Sequence, residues 1–479
     1  MKLTLLTTDL FVFALLIALL VYAWQVRRSP ELSANWRLVF QRPVGMASGL
    51  VLGFFLSVGV LDSLHFRLAL SSAPGQTEVR YGEAQSALDL LLKPLVAARE
   101  RSYSEPLAIR AFRKESFERN GQTVRDFPPL SFGGGHLTDR DHHAQDVWKK
   151  VLRGVAWAFS ALVLVGLTVL AMSARRTQQS MGRCLTLAWT GQSAWPWRTA
   201  VLTVSGLALM VSLMISLSEG YHVLGTDRTG NSVLVMALKS IRTALVIGSL
   251  TTLVVLPLAV GLGVVAGYFR GWVDEAIQYV YTLVASIPDV LLIAAAVLLL
   301  QVFIDNNPTL FETALERSDA RLMFLCLILG LTSFTGLCRL VRGETLKLRE
   351  MEYIQGAQAF GVPNTRILWR HITPNLMHIV LIHAVMQFST FILAEAVLSY
   401  VGVGVDPNTA SFGIIINTAR AELAASPVVW WTLLSAFVFM LMLVLSANLL
   451  ADAIRDAFDP RARLRASLFR VTRRLGVNP

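Results

Sequence analysis

Charged residues are scarce in this sequence. Asp, Glu, Lys and Arg together make up 16% of its 479 residues, whereas hydrophobic residues make up 54%. A typical soluble domain carries about 25% charged residues, so the composition excludes an ordinary soluble globular fold. It is instead typical of an all-α protein that crosses a membrane several times.

Cysteine is rare, and the common catalytic motifs are missing. The three cysteines, at positions 184, 326 and 338, do not make a disulfide framework. No Gly-Lys pair occurs, which excludes a P-loop for ATP phosphates, and the H-E-x-x-H zinc motif and the G-x-S-x-G nucleophile turn are missing as well. The sequence therefore predicts no catalytic residue, and no metal or cofactor held by this chain.

Nine apolar runs are present, each close to the length of about 20 residues that a membrane-spanning helix needs. They lie near residues 8–26, 44–61, 151–173, 199–218, 240–268, 277–303, 321–341, 377–403 and 428–450. Arg27 and Arg28 follow the first run, whereas a secretory signal has its basic residues in front. We therefore interpret the first run as a retained span and expect about nine transmembrane helices.

Basic residues collect in alternate segments between these runs. They are Arg27, Arg28, Arg37 and Arg42 after the first run, Arg175, Arg176, Arg183 and Arg198 after the third, Arg339, Arg342, Lys347, Arg349, Arg366 and Arg370 after the seventh, and Arg455, Arg461, Arg463, Arg465, Arg470, Arg473 and Arg474 in the tail. Because Lys and Arg favour cytoplasmic loops, we expect the N-terminus outside and the C-terminus in the cytoplasm. The acidic loop 304–320 and the mixed segment 62–150 then lie outside.

The outer segment contains a cluster of imidazoles and carboxylates. Its members are His136, Asp139, Asp141, His142, His143 and Asp146. Such side chains favour divalent metals, so a membrane-embedded metal-dependent enzyme is one alternative. A hydrated polar loop beside the glycines at 133–135 is the other, and the sequence favours this second interpretation.

Three ionisable residues lie within the apolar runs. They are Asp289, His383 and Glu395. A charge facing lipid is costly, so such groups normally face the bundle interior or a water path. Asp289 and Glu395 are therefore candidates for a translocation path, although packing between helices would explain each of them as well.

A polar stretch, EYIQGAQAFGVPNTRILWRHITPN, interrupts two apolar runs at residues 352–375. Its pattern predicts a helix with a narrow small and apolar face, a break at Gly361, and a second helix that Asn364 caps and Pro374 ends. A basic helical hairpin of this kind is typical of an element that docks into a groove of another protein. An amphipathic segment lying on anionic lipid is the alternative.

This stretch resembles the coupling loop of permease subunits in binding-protein-dependent ABC importers. In the pattern Glu-Ala-Ala, three residues, Gly, and later Ile-Leu-Pro, this chain has Gln355, Gly356 and Ala357, then Gly361, and finally Ile372, Thr373 and Pro374. The resemblance implies a coupling loop at 343–375. Its implied contact residues are Glu352, Gln355, Gly356, Ala357, Gly361, Arg366, Arg370 and Pro374.

Further segments are similar to the second, or C-type, permease of dipeptide and oligopeptide importers. They read HVLGTDRTGNSVL at 222–234, GYFRGWVDE at 267–275, SIPDVLL at 286–292, RLVRGETLKLREMEYIQGAQAFG at 339–361, FILAEAVLSYVGVGV at 391–405 and ADAIRDAFDPR at 451–461. The resemblance implies a type I ABC importer permease core at 220–462. We expect an added span and linker at 1–43, a first core span, outer loop and added hairpin at 44–219, and a basic tail at 463–479.

The resemblance also implies partners. A homologous permease, two cytoplasmic ATPase subunits that hold ATP and Mg, and an external substrate-binding protein would complete an importer in the bacterial inner membrane. A scaffold or sensor derived from such a permease is a further alternative, because Gln355 and Gly356 differ from the family pattern.

Overall fold

The computed structural model is built mainly of helices, which confirms the predicted all-α class. It describes residues 2–4, 6–69, 81–119, 122–137, 139–177, 195–307 and 313–458, together with a few isolated positions between 177 and 195. The helices are α1 (Thr7–Arg28), α2 (Pro30–Gln41), α3 (Pro43–Ser63), α4 (Ala87–Leu91), α5 (Lys93–Ala97), α6 (His143–Thr177), α7 (Trp197–Ser218), α8 (Val233–Phe269), α9 (Gly271–Ser286), α10 (Asp289–Asn306), α11 (Ala314–Ser333), α12 (Thr335–Arg349), α13 (Glu352–Ala359), α14 (Asn364–Ile367), α15 (Thr373–Val401), α16 (Phe412–Leu423) and α17 (Trp431–Phe458). The strands are β1 (Lys2–Leu3), β2 (His65–Ala69), β3 (Tyr81–Ser86), β4 (Glu115–Arg119) and β5 (Gln122–Asp126).

Eight helices of the described residues are long and apolar enough to cross a membrane, and the count rises to nine if α11 and α12 are one span bent by 43°. The eight are α1, α3, the part of α6 up to Thr168, α7, α8, α10, the helix from Asn364 to Val401, and α17. This agrees with the predicted number of about nine.

One predicted span is wrong in its bounds. The apolar run at 277–303 is divided between α9, which ends at Ser286, and α10, which begins at Asp289. Pro288 holds the preceding Ile287 in an extended conformation, with φ −91° and ψ 132°, as the residue before a proline favours. Only α10 is therefore a candidate span in this run.

The chain folds into two compact units. The first comprises Met1–Leu5, Phe40–Thr243 and Ala410–Ser446, and the second comprises Leu6–Val39, Ala244–Thr409 and Ala447–Pro479. Each unit thus combines separate stretches of the chain. The sequence boundaries at 43, 219 and 462 follow from hydropathy and family resemblance instead, and they stay predictions.

The first unit contains short antiparallel strands and a helical hairpin. Strand β2 pairs with both β1 and β3, while β4 pairs with β5 from Glu115↔Asp126 to Arg119↔Gln122. Helices α6 and α7, the hairpin that the family resemblance marks as added, pack against each other, and the Ser216 hydroxyl donates to the Lys150 carbonyl at 2.7 Å. A core of Tyr103, Val233, Val429 and Trp431 joins distant parts of this unit.

A buried histidine and glutamate lie side by side in the first unit. Glu100 accepts hydrogen bonds from the backbone N–H groups of Ser131, Phe132 and Gly133. Burial alone would raise the pKa of Glu100, but these bonds hold it below its usual value. His222 is only 1% exposed, and its Nε2 lies 3.9 Å from a Glu100 oxygen. Burial lowers the pKa of His222, so the ring is neutral in the folded chain at neutral pH.

The second unit depends on a close approach between α8 and α12. A Cβ atom at Gly263 would lie 2.8 Å from the Cys338 carbonyl oxygen and 2.8 Å from Val341 Cβ. A Cβ atom at Gly267 would lie 2.7 Å from the Arg342 carbonyl oxygen. Two glycines four residues apart lie on one face of α8, and small residues of this kind let membrane helices pack backbone to backbone.

Polar contacts attach the first helix to the same unit. Asp319, near the start of α11, accepts a hydrogen bond from the Thr8 backbone N–H at 3.1 Å and from the hydroxyl groups of Thr7 and Thr8. The carboxylate therefore lies at the N-terminus of α1, where a negative charge is favoured. The span that the family resemblance marks as added is thus anchored to α11.

We expect Gly263→Leu to destabilise the chain by about 1–3 kcal/mol, because the new side chain would force α8 and α12 apart. The measurement is the midpoint of thermal unfolding of the purified chain in detergent. Gly261→Leu is the matched control, since Gly261 is on the same helix and a Cβ atom added there would have no other atom within 4 Å. Equal midpoints for the two variants would contradict the tight contact.

Acid is expected to destabilise the first unit through His222. The unfolded chain takes up a proton on this residue near pH 6.5, whereas the folded chain resists protonation. Stability is therefore complete above about pH 6.5 and falls below it, by at most about 1.4 kcal/mol per pH unit. The decrease should be smaller in His222→Gln, which can be checked by thermal unfolding between about pH 7.5 and 5.5. Glu100 adds its own loss only at lower pH, as acid approaches its unfolded value of 4.5. An unchanged pH slope in His222→Gln would refute the assignment.

Candidate coupling site

Within the candidate coupling loop at 343–375, helix α13 is followed by a sharp turn at Gly361. Gly361 has φ +72°, a left-handed conformation that favours glycine. Its N–H donates to the Gln358 carbonyl at 2.9 Å, and the Val362 N–H donates to the Ala357 carbonyl at 3.1 Å. This pair of bonds is the Schellman arrangement, which satisfies the last carbonyls of a helix. The predicted break at Gly361 is therefore confirmed.

The second half of the loop differs from the prediction, because Pro374 does not end a helix. α14 continues through a π turn at Leu368–Ile372 into α15, and the three form one helix from Asn364 to Val401. Proline has no N–H for an ordinary helical bond and crowds the carbonyl four residues earlier. That carbonyl belongs to Arg370, which lies in the wider π turn. The helix can therefore continue through Pro374, in the first turn of α15.

The predicted cap at Asn364 is also wrong. Pro363 is the N-cap of α14, with φ −63° and ψ 141° and no side-chain cap bond. The Asn364 side chain instead accepts a hydrogen bond from the Tyr268 hydroxyl, which lies at the end of α8, at 2.8 Å. The side chain that would cap the helix is thus used for a contact between distant segments.

Tyr268 connects both halves of the coupling loop to α8. Its hydroxyl donates to Asn364 and accepts from the Gln358 side chain at 3.2 Å, and its carbonyl accepts from Arg349 Nη1 at 2.7 Å. The ring is buried. A single side chain therefore contacts the helix before the Gly361 turn and the helix after it.

Two ion pairs hold the segment that leads into the loop. Arg342 donates to both carboxylate oxygens of Asp274 at 2.5 and 2.6 Å. These hydrogen bonds hold the pKa of Asp274 below its usual value, although burial acts in the opposite direction. Arg270 pairs with Glu350 at 2.5 Å near the end of α12. The bidentate pair is partly buried and geometrically specific, so it fixes α12 against α9.

The face of the loop that packs inward is apolar. Ile354, Ile367 and Ile372 are fully buried. The sequence predicted a single face through Ile354, Ala357 and Gly361, but only Ile354 is buried, while Ala357 is half-buried and Gly361 is exposed. The small residues of this face are therefore turned at least partly outward.

The outward side of the loop carries large exposed aromatic side chains. Phe360 is 90% exposed and Trp369 is 77% exposed, one on each side of the Gly361 turn. Neither residue is among those predicted from the sequence, although two aromatic residues in a polar loop are a signal for a contact surface. The residues implied by the family pattern are exposed or half-buried beside them: Glu352, Gln355, Gly356, Ala357, Gly361, Arg366, Arg370 and Pro374.

The candidate translocation-path residues have different surroundings. Asp289 is exposed in the first turn of α10, where its charge is favoured by the helix N-terminus. Glu395 is buried in α15, and the Ser399 hydroxyl donates to it at 2.6 Å. The structure does not bring the two residues into one described contact, and their role in a path stays a prediction.

The cluster of imidazoles and carboxylates at 136–146 is divided among separate contacts. His136 pairs with Asp146 at 2.8 Å, His142 with Asp139 at 3.3 Å, and His143 Nε2 with the Leu107 carbonyl at 2.9 Å. Over the part of the chain that the structure describes, no three His, Cys, Asp or Glu residues are arranged to hold a metal ion.

Comparison with known proteins covers the part of the chain that contains this loop. Residues 259–464 match the family model of the binding-protein-dependent transport system inner membrane component. The chain is 34% identical over 242 residues to the oligopeptide transport system permease protein OppC of Mycobacterium tuberculosis, which covers 50% of this chain and 77% of that protein. This chain belongs to that permease family. The resemblance to C-type permeases of oligopeptide and dipeptide ABC importers is thereby confirmed.

Other relatives of this permease carry different substrate names. It is 30% identical over 243 residues to the glutathione transport system permease protein GsiD of Pectobacterium atrosepticum, covering 50% of this chain and 73% of that one. It is 29% identical over 242 residues to the dipeptide transport system permease protein DppC of Alkalihalophilus pseudofirmus, covering 50% and 73%. The family model starts at residue 259, so the permease has α1, α6 and α7 outside the matched range.

Tyr268→Phe is expected to loosen the permease's coupling loop while preserving its fold. The change removes the hydroxyl bonds to Asn364 and Gln358, each worth about 0.5–1.5 kcal/mol, so local opening should become roughly tenfold more frequent. Hydrogen exchange of the amides between residues 356 and 370 measures this. Tyr279→Phe is the matched control, because Tyr279 is exposed on α9. Equal exchange in both variants would show that Tyr268 does not hold the loop.

Proposed function

We propose that this chain is the permease subunit of an ATP-driven, binding-protein-dependent importer of peptides. Family membership supports the transport role. The relatives' names supply the substrate class, since they are permeases for oligopeptides, dipeptides and glutathione. The distribution of arginines supports an orientation with the N-terminus outside and the C-terminal tail in the cytoplasm.

The proposed assembly contains a homologous permease, two cytoplasmic ATPase subunits and an external substrate-binding protein. The substrate path runs between the two permeases, with Asp289 and Glu395 as this chain's candidate path residues. ATP and Mg belong to the ATPase subunits, because this sequence has no P-loop. Energy then enters this chain as a movement of its partner, and a mechanical contact is needed to receive it.

The observation that carries the proposal is the contrast between a fixed backbone and an exposed aromatic surface in the coupling loop. Tyr268 and the buried isoleucines hold the loop from inside, while Phe360 and Trp369 remain exposed. Large exposed aromatic side chains on a rigid element are suited to fill a partner's groove. We add these two residues to the contact set implied by the family pattern.

A force applied to this surface has two routes into the permease. The first is α12, which ends two residues before α13 and is held by Asp274 and by Tyr268. The second is the unbroken helix from Asn364 to Val401. Both routes are helical and make buried contacts. Displacement of the loop is therefore transmitted instead of being absorbed by loose chain.

The test is co-purification of the ATPase subunits with a tagged permease from its native membrane. We expect Phe360→Ala to reduce the recovered ATPase at least about tenfold, as loss of a central aromatic contact costs about 2 kcal/mol or more. Trp272→Ala is the matched control, because Trp272 is also a largely exposed aromatic residue, 79% exposed at the start of α9. Recovery unaffected by Phe360→Ala would argue against this surface.

Gly361→Pro is a second, backbone-directed variant. Proline is restricted to a negative φ, whereas Gly361 has φ +72°, so the turn between α13 and α14 cannot form. Membrane insertion should persist and ATPase recovery should be lost. Recovery at the level of the unaltered chain would remove the docking assignment, and an absence of ATPase subunits even from the unaltered complex would favour a scaffold or sensor.

A further inference from the structure

An open groove of about 920 Å³ lies within the first unit. We call it the basic groove. Its lining comes from Glu105 and residues 108–114, from Arg125 in strand β5 and the nearby Phe127, from His143, and from Ser426 and Pro427. All of these residues belong to the same compact unit, so the groove is a feature of one folded body.

Backbone pairing fixes the floor of the basic groove. The Ala111 N–H donates to the Pro128 carbonyl at 2.8 Å, and the Leu130 N–H donates to the Ile109 carbonyl at 3.1 Å. Two antiparallel stretches are thereby joined, and Ile109 and Ala111 of the first stretch belong to the lining. The lining is apolar where Ile109 and Phe112 contribute to it, which provides a surface for aliphatic or aromatic groups.

The charge of the basic groove is strongly unbalanced. Its cationic lining residues are Arg110, Arg113, Lys114 and Arg125. Glu105 is the only carboxylate in the lining. Within the described part of the chain, none of these four cations forms an ion pair with a carboxylate; the ion pairs there involve other Lys and Arg residues.

Aromatic rings, not carboxylates, support two of these cations. The Arg113 guanidinium carbon lies 5.1 Å from the centre of the Tyr103 ring, and Lys114 Nζ lies 5.5 Å from the centre of the Phe127 ring. Cation–π contacts orient a positive group without neutralising its charge. The cations of the groove are therefore positioned and still attract an anion.

The size of the groove selects among anionic ligands. Clefts for small ligands typically measure about 300–1,000 Å³ and combine an apolar lining with a few polar groups, and the basic groove fits that description. An inorganic anion would leave the apolar floor uncovered. A short peptide with several carboxylates satisfies both features, since guanidinium groups bind carboxylates in a bidentate manner and its carbon chain covers Ile109 and Phe112.

We propose that the basic groove is a binding site for short acidic peptides on the permease itself. The carboxylates of the peptide bind to Arg110, Arg113, Lys114 and Arg125, and its backbone and aliphatic groups cover the floor. This inference rests on the proposed peptide transport and on the expected orientation, in which the segment 62–150 lies outside. It assigns the outer segment a role in collecting acidic peptides before they reach the path.

The test is the binding of triglutamate to the purified chain in nanodiscs, without a binding protein, measured by calorimetry. We expect saturable binding that weakens with added salt, and no binding of trialanine amide. Arg110→Gln with Arg113→Gln should weaken triglutamate binding at least about tenfold, as expected when charge-assisted bonds are lost. Lys93→Gln is the matched control, because Lys93 is an exposed cation of the same unit outside the groove.

A second pair of variants guards against damage to the fold. Lys114→Gln with Arg125→Gln removes two cations and leaves the Arg113 contact with Tyr103 in place, and it should weaken binding in the same way. Absence of saturable triglutamate binding, or equal binding by the variants and by Lys93→Gln, would overturn the proposal. A third result would also overturn it: the unaltered chain does not bind triglutamate, and the variants no longer associate with the binding protein. The groove would then be a protein docking surface.

Transport separates this proposal from the proposed function. Uptake of a neutral peptide by the complete importer should be the same for the groove variants and the unaltered chain, while uptake of triglutamate falls in the variants. If neutral peptide uptake is present but triglutamate does not bind to the chain, the groove assignment fails and the importer stands. Triglutamate binding without uptake of any peptide would support the groove and refute the importer.

Discussion

The contact between α8 and α12 is the constraint on which the coupling loop depends. Because Gly263 and Gly267 have no side chains, the backbone of α12 lies directly against α8. This approach brings the Tyr268 carbonyl to Arg349, and it lets the Tyr268 hydroxyl contact the loop on both sides of Gly361. A packing interaction inside the second unit thus determines where a surface element is presented.

The sequence was sufficient for features that depend on local physics. Hydropathy gave the membrane class and about nine spans, because every spanning helix must satisfy its own backbone groups. Gly361 predicted the turn in the loop, because a left-handed residue at a helix end favours glycine. The family pattern supplied the location of the candidate site, and the matched range at 259–464 contains it.

The remaining features depend on contacts between distant residues. Asn364 is a good helix cap by residue type, but Tyr268, 96 positions away, uses its side chain instead. Pro374 normally ends a helix, yet the π turn before it lets the helix continue. In the first unit the described strands have only two to six residues, which is too short for a clear alternating pattern. The partners of His136, His142 and His143 likewise could not be predicted from the sequence.

The length of the helix that runs through Pro374 determines how far a tilt would displace its ends. With 38 residues from Asn364 to Val401, it is about 57 Å long at about 1.5 Å per residue. For a rod of that length, a tilt of about 5° about one end displaces the other end by about 5 Å, nearly one helical turn. A hinge at Pro374 would have confined such a movement to the loop. The π turn therefore makes the second half of the loop and the buried segment around Glu395 parts of one continuous helix.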